Sequence, residues 1–110
     1  MVKLFIDDIR EANYPCIHYR TVNDCIGYIR RMYKMGNTDF YLDLDHDSGE
    51  YYDQGGDYIN ILRYLEDMRR MGHIRHMNIQ VHFHTGNAVG LQNMRAIIDN
   101  NRDWMREVYD

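Results

Sequence analysis

Three short segments of this 110-residue chain carry groups that could do chemistry: Asp7-Asp8 with Arg10, Asp45-His46-Asp47, and His84-Thr85-Gly86-Asn87. Carboxylates crowded together repel one another, and a cation, an arginine or partial protonation must offset that repulsion. Mg²⁺ and Mn²⁺ prefer carboxylate oxygens. One of them is the expected cofactor, with Asp7, Asp8 and Asp45 as ligands, and Arg10 is the alternative source of positive charge. Imidazole exchanges protons near neutral pH, which makes His46 and His84 a candidate acid–base pair, with Asp45 beside them as a third catalytic group. A base, an acid and a source of positive charge are the parts that hydrolytic chemistry on an anionic group needs.

Each segment also has an ordinary reading. Asp7-Asp8 suits a solvated strand end, and Asp45-His46-Asp47 suits a plain turn. Asn87 is a good helix N-cap, and Gly90 allows close backbone approach. Asn93 faces the site or bonds a neighbouring loop. His82, two residues before His84, is as well suited to a structural hydrogen bond as to a transition-metal pair with it. His18, His73 and His76 fall in or near loops and are expected to be exposed. Cys25 lies on a helical apolar stripe and reads as a small core residue, whereas Cys16 is ambiguous.

The elements that must position these groups follow from hydrophobic period. Val2 to Ile6 is a short apolar run with strand character, and residues 17–20 form a second, shorter one. Thr21 opens a helix whose stripe is Val22, Cys25, Ile26, Ile29, Met32 and Tyr33, closing at Gly36. Residues 40–44 return to strand character, and residues 50–56 are a polar loop without period. Asp57 opens a helix with the stripe Tyr58, Ile61, Leu62, Leu65 and Met68, closing near Gly72. Residues 78–84 form the next strand. A last helix is expected to carry Met94, Ile97, Ile98, Trp104, Met105 and Val108, with a kink or fray at Asn100-Asn101.

Strands alternating with helices predict one α/β domain over residues 1–110, with a mostly parallel four-stranded sheet and three main helices. In such sheets, sites form beyond the carboxyl ends of the strands, where the three segments fall. The link over about residues 9 to 17 is short for a helical crossover, so one sheet face should be partly uncovered. The strands agree. Phe40, Leu42 and Leu44 oppose Tyr41, Asp43 and Asp45; Ile79, Val81 and Phe83 oppose Gln80, His82 and His84. Parallel strands covered on both faces are apolar on both. A wet face is therefore expected, and with it a homodimer as one way to cover it.

A net charge of −4 argues against duplex DNA, whose binding needs clustered Lys and Arg, but leaves room for a small phosphorylated ligand. No apolar run is long enough to span a bilayer. The N-terminal run lacks the character of a signal peptide, so a cytoplasmic location is the expectation.

Taken together, these segments resemble the cyclic-phosphate processing receiver domains, a divergent branch of the receiver fold. The family's L-D-D-x-R is similar to Ile6-Asp7-Asp8-Ile9-Arg10, its R-T to Arg20-Thr21, its L-D-H-D-L-G to Leu44-Asp45-His46-Asp47-Ser48-Gly49 and its G-x-D to Gly55-Gly56-Asp57. Its H-S-x-N-P-x-G-x-x-N-M resembles the stretch from His84 to Met94, with Asn87, Gly90 and Asn93 in place. Ala88, Leu91 and Ser48 depart from the usual Pro, Arg and Leu.

The resemblance implies a receiver-like fold and a phosphoesterase acting on a small nucleotide-derived cyclic phosphate. Arg10, Asp47, Asp57, Thr85, Asn87 and Asn93 would then surround the substrate. An alternative is a protein that captures a cyclic nucleotide without cleaving it. A second alternative is a degenerate receiver-type interaction module, or a receiver accepting phosphate on Asp45 with Thr85 as its hydroxyl. Against an ordinary receiver, the expected elements stop after the fourth strand's helix, truncated before the fifth strand and the lysine that ends it.

Overall fold

The computed structural model describes residues 1–109. The elements run β1 (Val2–Ile6), β2 (Ile17–Tyr19), α1 (Val22–Lys34), β3 (Asp39–Leu44), a 3₁₀ turn (Gly49–Gln54), α2 (Ile59–Arg70), β4 (Asn78–Phe83), α3 (Ala88–Asp99) and β5 (Met105–Glu107). All five strands are parallel and ordered β2-β1-β3-β4-β5. The chain therefore reverses its direction of travel across the sheet between β1 and β3. Ligands of open α/β folds bind at such a reversal.

Strand register sorts the side chains into two faces. Leu4, Leu42 and Val81 align across β1, β3 and β4, as do Ile6, Leu44 and Phe83 one pleat further on. They are roofed by the helices, which pack α1 on α2 and α2 on α3, with Cys25, Ile29, Tyr58, Ile61, Leu62, Leu65 and Met94 completing the core. The opposite face carries Phe5, Asp43 and His82 in one row. Among the described residues no helix stands between β1 and β2, and the segment of residues 9–16 lies on this face instead. Tyr14 lies across it, edge-on to Phe5 and Tyr41, with its hydroxyl donating to Asp43 at 2.8 Å. The expected uncovered face is there, closed in part by one tyrosine.

Local chemistry sets the helix starts. The Thr21 hydroxyl accepts the Asp24 N–H at 3.0 Å, and the Asn87 side chain accepts the Gly90 N–H at 2.9 Å. These are N-caps that satisfy donors the first turn leaves unpaired. The polar loop after β3, expected to lack regular structure, instead winds into the 3₁₀ turn.

The sheet has five strands, not the expected four, and is not truncated. The last helix does not run to Val108; it stops at Asp99, and the chain turns back to form β5. Buried Asn101 makes that turn. Its side-chain amide donates to the Ile97 carbonyl at 2.8 Å and to Glu66 at 2.7 Å, and its Oδ1 accepts the Trp104 indole N–H at 3.1 Å. Its carbonyl accepts the Met105 N–H at 2.8 Å. Trp104 enters the core from the turn and Met105 from the strand that follows it, though their spacing from Ile97 and Ile98 also fits a helix.

Candidate functional site

The carboxyl ends of β1, β3 and β4 lie side by side. The Asp45 N–H donates to the Ile6 carbonyl, and the His84 N–H to the Leu44 carbonyl, each at 3.0 Å. Asp7, Asp45 and His84 thus continue the ladder by one residue on the face away from the helices. Segments far apart in the chain are brought to one rim by strand pairing.

His84 is held from both sides. Its Nδ1 lies 2.5 Å from Asp43 Oδ1 and its Nε2 lies 2.9 Å from Asp7 Oδ2, while Phe5 stacks on the ring with centroids 4.6 Å apart and planes nearly parallel. Burial by itself lowers the pKa of this imidazole; the charges and hydrogen bonds of Asp43 and Asp7 outweigh it and raise the pKa above the usual value. Asp43 and Asp7 respond in the opposite sense. Burial pushes both upward, but bonds from His84, His82 and Tyr14 bring Asp43 below the usual carboxylate range. The backbone N–H groups of Arg10 and Ile9, each 2.8 Å from Oδ1, and the His84 contact do the same for Asp7. One imidazole ring thus bridges two carboxylates, one at each nitrogen.

Asp8 behaves differently. Burial raises its pKa, and the neighbouring charges of Asp7 and Asp45 raise it further. Asp7, Asp8 and Asp45 each offer one oxygen within 4.8 Å of the others. This all-carboxylate donor set, with its unrelieved repulsion at Asp8, fits a hard divalent cation such as Mg²⁺ or Mn²⁺. Gly49 makes room for the Asp8 side chain: a Cβ there would lie 2.4 Å from Asp8 Oδ2.

His46 occupies the other side of the rim. Its Nδ1 lies 2.6 Å from Asp47 Oδ1, and the Asn87 amide donates to the same oxygen at 3.0 Å. These two bonds hold Asp47 below the ordinary carboxylate range, the His46 bond being the larger influence. The ring rests on α3 where a Cβ at Gly90 would come within 2.4 Å of it. The loop beneath is anchored by the Tyr58 N–H on the His46 carbonyl at 2.9 Å and by the Ser48 N–H on Asp57 Oδ1 at 3.0 Å.

The other expected residues divide. Exposed Arg10 donates to the His84 carbonyl at 3.3 Å, beside the acidic rim. Thr85 Oγ1 accepts the Asn87 N–H at 3.1 Å, and Asp57 braces the loop through Ser48. Asn93 is exposed on α3 and, among the described residues, makes no hydrogen bond to this group.

Three further residues contribute to the site. Asp43, on the wet face by strand alternation, is the buried partner of His84. Arg20, the arginine of the R-T match, donates to the Asp8 carbonyl at 2.9 Å. His18 is half-buried on β2, not exposed, with Nε2 3.1 Å from the Asp7 carbonyl and its ring edge-on to Phe5.

Five parallel strands in this order, with an acidic rim at the reversal point, make this a receiver-like α/β protein. The family model of the cyclic-phosphate processing receiver domain matches residues 2–100. The chain belongs to that family. Neither the curated proteins nor the solved structures returned a match. No helix among the described residues is long and apolar enough to cross a membrane.

Proposed function

We propose that this domain is a phosphoesterase that opens a small nucleotide-derived cyclic phosphate by attack of water. The observation carrying the reading is the convergence of His46, His84, Asp7, Asp8, Asp45 and Arg10 from three strand ends onto one rim, in a family named for cyclic-phosphate processing. His46 is the proton-moving group. Asp47 and Asn87 orient its Nδ1 side, leaving Nε2 to take a proton from water as the new P–O bond forms and to return it to the ring oxygen as the old P–O bond breaks. Arg10 and the N–H groups at the start of α3 meet the phosphoryl oxygens. Asp7, Asp8 and Asp45 would hold Mg²⁺ or Mn²⁺, which when bound neutralises charge on the phosphate. Both nitrogens of His84 already face carboxylates, so its bonds favour holding Asp7 in place over delivering a proton.

That engagement of His84 also favours a second reading, capture of the cyclic phosphate without cleavage, because it leaves His46 as the one imidazole at the rim for acid–base work. Incubation with a panel of ribonucleoside cyclic phosphates and Mg²⁺ separates the two. Linear product, with a loss of about 10²- to 10⁴-fold for His46→Ala, is the outcome expected of the enzyme. Intact ligand retained by the protein would establish the capturing role. An undiminished rate in His46→Ala would remove His46 from the mechanism.

The phosphate-accepting receiver reading gains a fifth strand but not its lysine. Lys3 and Lys34 are the only lysines of the chain, and they lie in β1 and at the end of α1. Neither stands at the end of β5.

A further inference from the structure

On the sheet face left open by the helix-free link, a second set of ligating atoms converges below the rim. Asp43 of β3 pairs in register with His82 of β4, and His84 follows two residues on, so all three side chains rise from the same face. Asp43 Oδ1 lies 3.0 Å from His82 Nδ1 and 2.5 Å from His84 Nδ1, and the three ligand atoms lie within 4.8 Å of one another.

We propose that Asp43, His82 and His84 form a binding site for a divalent transition metal of the Zn²⁺ class, separate from the carboxylate trio at the rim.

Three physical points carry it. Two imidazoles with one carboxylate are the donor set that zinc, cobalt, nickel and ferrous iron prefer, whereas Mg²⁺ and Ca²⁺ take oxygen. A metal with bonds of about 2.0–2.2 Å holds its ligand atoms roughly 3 Å apart. The spacing to His82 already matches that, and the spacing to His84 needs a small opening. Finally, the atoms behind the ligands are fixed in the way metal sites fix theirs. His84 Nε2 is turned onto Asp7 Oδ2 at 2.9 Å, Asp43 Oδ2 accepts the Tyr14 hydroxyl at 2.8 Å, and Phe5 holds the His84 ring flat. Metal replaces the proton on His84 Nδ1 and leaves the Nε2–H bond to Asp7 unchanged. His82, with about a quarter of its side chain exposed, gives the ion a way in from solvent.

The site goes beyond the phosphoesterase reading and is tested without it. Full-length protein stripped with EDTA is titrated with Co²⁺ in the presence of millimolar Mg²⁺, and visible absorption of the bound ion is followed. One equivalent should bind and be displaced by Zn²⁺. His82→Ala and Asp43→Asn should each weaken binding at least tenfold, while Asp8→Asn leaves it unchanged. Thermal unfolding with and without Zn²⁺ gives a second readout, in which Zn²⁺ raises the midpoint of the unsubstituted protein and not that of His82→Ala. Co²⁺ binding that survives His82→Ala and is lost in Asp8→Asn would place the ion at the rim and overturn the proposal. Absence of any bound Co²⁺ or Zn²⁺ would overturn it as well.

Discussion

Shared between two carboxylates, the His84 imidazole makes stability depend on pH from both sides. Its folded pKa is raised, so what it contributes is complete below its unfolded value of 6.5 and is lost as pH rises through the higher folded value. Asp7 and Asp43 are lowered. Their contribution is complete above 3.8 and is lost as pH falls through their folded values. With EDTA present, the difference in unfolding free energy between the native protein and His84→Gln should be greatest between those two reference values. It should shrink on either side, as read by urea denaturation across the pH range. A pH-independent difference would mean that packing on Phe5, not the ion bridge, is what His84 supplies. Gly90 offers a sharper test at the other half of the rim. Gly90→Ala puts a methyl group against the His46 ring, and overpacking of this kind costs about 1–3 kcal/mol. The helix should persist by circular dichroism while the ring resonances of His46 shift and any cyclic-phosphate turnover falls.

At the scale of elements, the turn after α3 hangs on one buried amide. Asn101→Ala removes a side chain bonded at both ends and leaves the Trp104 indole N–H without its partner. A loss of about 1–3 kcal/mol is expected, measurable as a lower urea midpoint, with amide exchange rising first in β5. This is also where the sequence was least legible. Trp104, Met105 and Val108 continue the spacing of the α3 stripe, and periodicity alone does not distinguish a turn stapled by an asparagine from another turn of helix. The earlier elements had punctuation that periodicity could lean on, namely Thr21 and Asn87 as caps and Gly36 and Gly72 beyond the ends. The acidic rim was legible because Asp7, Asp45 and His84 each follow an apolar strand, and parallel pairing has to bring such ends together. Asp43 and Arg20 were not, since their roles depend on which neighbour the register supplies.

Across the whole molecule, the short β1–β2 link has a large effect. It leaves the helices on one side of the sheet and gives the polar side chains of β3 and β4 a face of their own, as the alternation in those strands requires. The family model spans the rim and the face beneath it alike, over residues 2–100. Beneath the rim, strand register pairs Asp43 with His82. The single tryptophan lies near the opposite edge of the slab, where the Trp104 carbonyl accepts the N–H of Ile79 early in β4 and the Arg69 guanidinium sits 5.1 Å over the ring. Nature has thereby installed an optical gauge of integrity at a distance from the chemistry. Its emission should be blue-shifted and stay constant through a titration with cyclic phosphate or Mg²⁺, then move to the red when the fold opens, so fluorescence can report cohesion of the chain while saturation is followed by another signal.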